Sequence, residues 1–200
     1  MFGASSFNRF VRELERFLAD HGYERAPGRV FRKYSPVGDA LVVDVQMSDA
    51  SDWKTTAFYL NTALVFGPEY LMYRRRTGKP ERRLPRCSNG LWRDRVHVDH
   101  EERFTITGDA SADAIWQLVR PALQQKLALM DELLDRDRLR EHAESGDLRG
   151  MYSVSAIRAW LLAAEGDAEG LNKLLTTGYS AERRASDGVR DLLAYVAASK

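Results

Sequence analysis

The chain has 200 residues, of which 44% are hydrophobic and 30% are charged, and its net charge is +1. This length suits one domain, or one domain with an appended helical segment, and the composition excludes wholesale disorder. The single cysteine, Cys87, excludes an internal disulfide and a cysteine-rich zinc site. Because the apolar runs are too short to span a bilayer and the start does not read as a signal peptide, we expect a cytoplasmic, bacterial-type protein without membrane contact.

The first half of the chain predicts a helix followed by strands. Apolar residues at helical spacing predict a helix over 6–21, which Gly22 ends. Alternating apolar residues then predict strands at 30–34, 40–48 and 55–66, and a hairpin of strands 92–98 and 102–107. Residues 67–91 are rich in Arg, Pro and Gly and predict a long surface loop, with a short strand as an option at 70–74.

The second half of the chain predicts helices. A helix begins near Asp109, and Pro121 is expected to kink or split it. Shorter helices are predicted at 137–145, 153–165, 168–176 and 181–198. This order indicates an α+β fold with an N-terminal helix, an antiparallel sheet of about five strands, and C-terminal helices packed on the sheet or appended to it. We predict an α+β domain at 1–136 and a C-terminal helical segment at 137–200.

Alternation along the predicted strands separates an apolar from a polar face of the sheet. If the strands pair, the polar face carries Asp44, Gln46, Tyr59, Asn61, Arg93, Arg95 and His97. Trp92 stands beside this set and is a further candidate for binding. Two interpretations stay open, namely a solvated face held by cross-strand ion pairs and a binding surface.

Positive charge is concentrated in segment 74–95, where nine basic residues against two acidic ones give a net charge of +7, so the rest of the chain carries −6. The predicted basic loop consists of Arg74, Arg75, Arg76, Arg82, Arg83 and Arg86. Arginines neutralise phosphates, and Tyr70, Tyr73 and Trp92 offer rings for stacking, so nucleic-acid binding is one hypothesis. The sequence lacks the helix-turn-helix, zinc-finger and RNA-recognition signatures, which favours a solvated loop.

Motifs for catalysis or metal binding are weak in this sequence. His97 and Asp99 would share a strand face as metal ligands, whereas His100 would not, and we expect no metal and no cofactor. Cys87 has no Cys/His nucleophile context, although basic neighbours can lower the pKa of a thiol. Phosphate-binding glycine loops, nucleophile elbows and metalloprotease motifs are absent from the sequence, so we assign no catalytic residue.

An ordered series of short motifs does point to a family. The series consists of Val30-Phe31-Arg32-Lys33, a strand ending in Val45-Gln46-Met47-Ser48, Phe58-Tyr59-Leu60-Asn61, and Cys87 shortly before Trp92-Arg93-Asp94-Arg95. Over about residues 6–120 it resembles the domain of unknown function 4304 family. The sequence departs from the family pattern by a spacer between Cys87 and Trp92 and by the lack of a histidine just before Trp92. The resemblance implies a fold and a motif series, but no activity.

Three roles follow from these observations. The leading hypothesis is a non-enzymatic binding module that docks a protein or another anionic partner on the polar sheet face and the basic loop. The alternative is nucleic-acid binding through the Arg-rich segment 74–86. The third is an enzyme that acts on an anionic small molecule through Asp44, Asn61, Arg93 and His97. The sequence does not indicate the oligomeric state.

Overall fold

The computed structural model describes residues 2–78, 84–146, 148 and 153–198. Its helices are α1 (Phe2–Asp20), α2 (Gly67–Arg76), α3 (Asp109–Leu133), α4 (Arg136–Ser145), α5 (Val154–Glu165), α6 (Ala168–Gly178), α7 (Ala181–Arg184) and α8 (Asp187–Ala198). Its strands are β1 (Glu24–Ala26), β2 (Val30–Tyr34), β3 (Ala40–Met47), β4 (Thr56–Val65), β5 (Trp92–Arg95) and β6 (Arg103–Ile106). The predicted α+β class is therefore confirmed, with an antiparallel sheet of six strands.

The N-terminal helix packs its apolar stripe on one face of the sheet. Phe10 and Leu14 of α1 are fully buried, and the ring centroid of Phe10 lies 4.8 Å from that of Phe58 on β4. Each such side chain contributes about 1.5–3 kcal/mol by leaving water. Gly22, with φ of +81°, ends the helix because glycine adopts this left-handed conformation without steric cost. Helix α1 and helix α3 together cover this face, which we call the core face.

The strands form a meander from β1 to β4, and β5 and β6 then both pair with β4. The predicted hairpin of the last two strands is wrong, because β5 pairs with the second half of β4 and β6 with its first half. The reason is the length of β4, whose 10 residues offer an edge for two short strands in line. Val98 and Glu101 form an isolated bridge at the turn between them.

Residues 67–76 are helical, so the loop predicted there and the optional strand at 70–74 are wrong. Pro68 in the first turn of α2 suits a helix start, because its missing N–H would have no partner there. Glu69, Leu71, Met72 and the three arginines are good helix formers, and the arginines in the last turn interact favourably with the helix dipole. The content of Arg, Pro and Gly in residues 67–91 is typical of a loop, which is why composition alone does not predict this helix.

The predicted basic loop changes accordingly. Arg74, Arg75 and Arg76 are not in a loop but form the last turn of α2. Arg82 and Arg83 lie outside the described residues. Arg86 does lie in a connecting segment, immediately before a short 3₁₀ turn at Cys87–Asn89.

Helix α3 runs through Pro121 without being split. Proline removes one backbone hydrogen bond, the one to the carbonyl of Gln117. Pro121 and Gln117 are both exposed, so water can satisfy that carbonyl. The predicted helix at 181–198 is divided into α7 and α8 at Ala185–Ser186.

The C-terminal helices pack against α2 and α3, and their apolar residues join the same core as α1 and the sheet. Arg136 at the start of α4 donates from Nε to the buried Asp39 over 2.8 Å, which ties this helix to the start of β3. The boundary that we predict at residue 136 stays a prediction. Within the described ranges, none of the helices combines the length and the apolar character needed to cross a membrane.

Candidate functional site

The pairing register places six of the predicted residues on one face of the sheet, including Arg93, which lies opposite Ala63. Asp44 of β3 lies opposite Asn61 of β4, and Asn61 lies opposite Arg95 of β5. In the neighbouring row, Gln46 lies opposite Tyr59. Residues in directly opposed pairs point to the same side of an antiparallel sheet, so these side chains share a face, as alternation predicted.

A hydrogen-bonded chain of side chains crosses this face. Asn61 donates from Nδ2 to Oε1 of Gln46 over 2.9 Å, and Arg95 donates from Nε to Oδ1 of Asn61 over 3.1 Å. The Arg95 guanidinium also forms an ion pair with Glu102 and lies 4.3 Å from the ring centroid of Tyr59. The chain fixes the orientation of both amides and holds Arg95 in place.

The polar face forms part of a groove with a volume of about 560 Å³. The strands contribute Asp44, Gln46, Asn61, Arg93 and Arg95, while Arg29 comes from the turn before β2 and Arg86 from the segment before the 3₁₀ turn. We call this surface the arginine groove. No residue of helices α4 to α8 lines it, so the described part of the C-terminal helices leaves it open.

Three of the four arginines of the groove have no ion pair among the described residues, namely Arg29, Arg86 and Arg93. The guanidinium of Arg29 lies 4.8 Å from the ring centroid of Phe7, a buried residue of α1, so it is held at the core face although Arg29 lines the groove. Arg86 passes so close to Gly28 that a Cβ there would lie 3.1 Å from its Nη2. Gly28 therefore leaves room for the Arg86 side chain at the groove wall.

Asp44 is the negative group within this positive surface. Burial raises the pKa of its carboxyl, and the charges of Arg86 and Arg32 partly offset this effect. Arg32 is buried beside it, donates from Nε to the carbonyl of Pro85 over 2.6 Å, and leaves Nη1 without a partner among the described residues. Burial is also the main reason why the pKa of Arg32 is lowered.

The other half of the polar face is covered, which alternation did not predict. A second apolar cluster fills it, with Tyr70 of α2 packed against its edge; its members are Val30, Ala40, Val42, Ala63, Val65 and Cys87. Burial raises the pKa of the Cys87 thiol well above its ordinary value, and the thiol donates to the carbonyl of Val42 over 3.5 Å. Cys87 is thus a protonated packing residue, and its basic neighbours do not activate it.

Three of the predicted binding residues do not line the groove, namely Tyr59, which lies under the Arg95 guanidinium, Trp92 and His97. Trp92 is fully buried on the core face, because it precedes Arg93 on the strand and therefore points to the opposite side. His97 lies beyond the end of β5 beside Lys126 of α3, and its Nε2 lies 3.7 Å from Oδ1 of Asp94. Strand alternation stops at Arg95, so the predicted placement of His97 on the polar face is wrong.

The arginines of α2 also lie away from the groove. Arg76 forms ion pairs with Asp187 and Asp191 of α8, and Arg74 lies over the ring of Tyr70. Sequence reasoning missed Arg29, because the short strand β1 is not predicted from the sequence. Without β1, the turn between β1 and β2 that contains Arg29 is not predicted either. Arg29 has φ of +61°, and the Gly28-Arg29 pair is a turn signal between two strands that would have placed it at the sheet edge.

Comparison of the chain with models of protein families, with curated proteins and with solved structures finds no match in any of the three. The resemblance to the domain of unknown function 4304 family therefore stays a prediction. The described residues contain no group of three or more His, Cys, Asp or Glu side chains arranged to hold a metal ion. Fold and site together define an α+β protein with an open, arginine-lined groove on one half of its sheet.

Proposed function

We propose that the protein is a non-enzymatic binding module whose arginine groove binds a carboxylate-rich segment of a partner protein. The observation that carries the proposal is that Arg86 and Arg93 line one concave surface, beside Arg95, and form no ion pair in the described part of the chain. Guanidinium groups bind carboxylates in a bidentate geometry, and clusters of them recognise acidic motifs.

The floor of the groove favours a polypeptide over a nucleic acid. The amides of Gln46 and Asn61 have hydrogen-bonding capacity left after their mutual bond, and such groups pair with peptide N–H and C=O groups. Tyr59 lies under Arg95 and Trp92 is buried, so neither ring is placed to stack on a base.

The enzymatic hypothesis receives less support from the same geometry. Asp44, Asn61 and Arg93 do line one groove, but His97 lies beside α3 and outside it. Of the two side chains that this hypothesis offers for proton transfer, Asp44 or His97, only Asp44 lines the groove. Binding without chemistry remains the function that the site supports best.

Affinity isolation with a groove variant tests the proposal. The tagged protein and the variant Arg86→Gln/Arg95→Gln are used as baits in lysate from the source cells, together with the control Arg16→Gln/Arg138→Gln. The control removes two arginines of α1 and α4 that form exposed ion pairs within one helix turn. We expect a stoichiometric protein with an acidic segment on the wild type and the control, and its loss from the groove variant.

Two outcomes would count against this function. One is a partner that the groove variant retains as well as the wild type does, and the other is the absence of any stoichiometric protein partner. Nucleic-acid binding, the alternative, would instead give retention on heparin that falls steeply with salt, and replacing Arg74, Arg75 and Arg76 would reduce the salt slope.

A further inference from the structure

A second pocket lies between α2, the turn around Cys87–Asn89, and helices α5 and α8. Its volume of about 310 Å³ is at the lower end of the range typical of small-molecule sites. Its lining includes Glu69, Tyr73, Arg93, Trp160 and Asp191. The pocket thus joins the helix that follows β4 to the C-terminal helices, a kind of place where ligand sites are common.

The pocket is lined by two carboxyl groups and two guanidinium groups. One carboxyl group and one guanidinium group already form an ion pair with each other. Arg76 donates from Nε to both carboxylate oxygens of Asp191, over 3.2 and 3.0 Å. The other pair is Glu69 and Arg93, and these side chains form neither a hydrogen bond nor an ion pair with a described residue. Oε2 of Glu69 and Nε of Arg93 are both buried without a partner there.

Such atoms are uncommon, because a buried polar atom without a partner has lost water and gained nothing in return. Burial and the charge of Asp191 raise the pKa of Glu69 to about 7, and the charge of Arg93 lowers it in part. At neutral pH this carboxyl is therefore divided between its two protonation states. A cation placed beside it would favour the ionised form.

Aromatic rings make up much of the pocket wall. Tyr73 and Tyr70 stack with their ring centroids 6.4 Å apart, and Trp160 lines the pocket from α5. The guanidinium of Arg76 already lies 5.8 Å from the ring centroid of Tyr73, and that of Arg74 lies over Tyr70. The rings therefore give the wall apolar area for the side chain of a ligand, whereas Glu69 suits an ammonium group and Arg93 suits a carboxylate.

We propose that this pocket binds a small zwitterion of the α-amino acid class, with the ammonium group against Glu69 and the carboxylate against Arg93. A zwitterion satisfies both unpartnered groups at once and leaves the charge of the pocket unchanged. A simple amine would leave Arg93 unpaired, and a simple carboxylate would leave Glu69 unpaired and lie close to the carboxylate of Asp191.

Isothermal titration calorimetry with three matched probe classes tests this proposal. The probes are α-amino acids with aliphatic or aromatic side chains, the primary amines that lack the carboxylate, and the acids that lack the amino group. We expect binding of at least one amino acid, and affinity at least about tenfold lower for its amine and its acid, because each loses a charge-assisted hydrogen bond.

The variant Glu69→Gln should lower the affinity for the amino acid by about 10- to 100-fold. It should also remove the rise in affinity that we expect for the wild type between about pH 6 and about pH 8, where Glu69 ionises. Glu144→Gln, an exposed change on α4, is the matched control and should bind like the wild type. Circular dichroism and thermal unfolding verify that Glu69→Gln is folded.

The proposal is overturned if no probe of the three classes binds, if amines or acids bind as tightly as amino acids, or if folded Glu69→Gln binds with unchanged affinity and unchanged pH dependence. Failure here is distinguishable from failure of the proposed function. Arg86 lines the arginine groove and not this pocket, so Arg86→Gln should leave amino-acid binding intact while it weakens binding of the acidic segment.

Discussion

Arg95 donates from Nε to Oδ1 of Asn61 over 3.1 Å, across the pairing of β5 with β4. Asn61 in turn donates to Gln46 on β3, so one amide links three neighbouring strands on the open half of the polar face. The amide also orients a guanidinium and a second amide toward the groove. Asn61 is therefore the residue on which the geometry of the groove floor depends.

Replacement of Asn61 by alanine should lower both stability and binding. It leaves Nε of Arg95 without its partner, and we expect the free energy of unfolding to fall by about 1–2 kcal/mol. Urea denaturation measures this loss. Gln46→Ala, at an exposed position of the same chain, should cost less because water replaces the lost bond. Equal losses of unfolding free energy for the two variants would contradict the conclusion that the hydrogen-bonded chain depends on Asn61 more than on Gln46.

Replacement of Arg86 by glutamine should act mainly on the rate of association. Arg86 has no ion pair among the described residues, and only the partly buried carboxyl of Asp44 offsets its charge in the groove. We expect slower association with the acidic partner and a weaker dependence of that rate on salt, measured by stopped-flow fluorescence. Arg138→Gln removes an arginine that is paired with Glu141 and should leave the rate unchanged.

The strands and the core face were predictable, because apolar residues at every second position of β3 and β4 indicate which side is buried. The same alternation brought Asp44, Gln46 and Asn61 together correctly. It could not indicate that Cys87 and its neighbours cover half of the polar face, since that contact joins segments far apart in the chain. Helix α2 differs from the prediction for another reason, because the composition of this stretch resembles that of a loop although arginine is a good helix former.

The ion pair of Asp39 and Arg136 should be important for stability. The Asp39 side chain is almost fully buried, accepts from the backbone N–H of Gly67 over 2.8 Å and from Arg136 over 2.8 Å, and so connects β3, α2 and α4. Asp39→Asn removes the charge next to a partly buried guanidinium and should cost about 3 kcal/mol of unfolding free energy. Thermal and urea unfolding measure it. Asp137→Asn, at an exposed position of α4, is the control, and an equal effect there would contradict the account.

The raised pKa of Glu69 should make the stability of the protein depend on pH in a specific way. Its pKa in the folded protein is about 7, above the ordinary value of 4.5, so the folded state holds the proton more tightly than the unfolded state. Stability should therefore fall as pH rises from about 4.5 to about 7, by up to about 3 kcal/mol, and level off above that range. Comparing unfolding of the wild type and Glu69→Gln across pH isolates this contribution, and parallel curves would refute it. Glu144→Gln should follow the wild type.

Nuclear magnetic resonance of the side-chain amides tests the central claim most directly. A ¹⁵N-labelled sample is titrated with a synthetic peptide of alternating Glu and Gly, and with a Lys and Gly peptide of the same length as a control. We expect the acidic peptide to shift the side-chain amide signals of Gln46 and Asn61 and the backbone signals of Gly28 and Ser88, all of which lie in the groove. Shifts confined to α2 or to the C-terminal helices, or equal shifts with the basic peptide, would contradict an acid-binding groove.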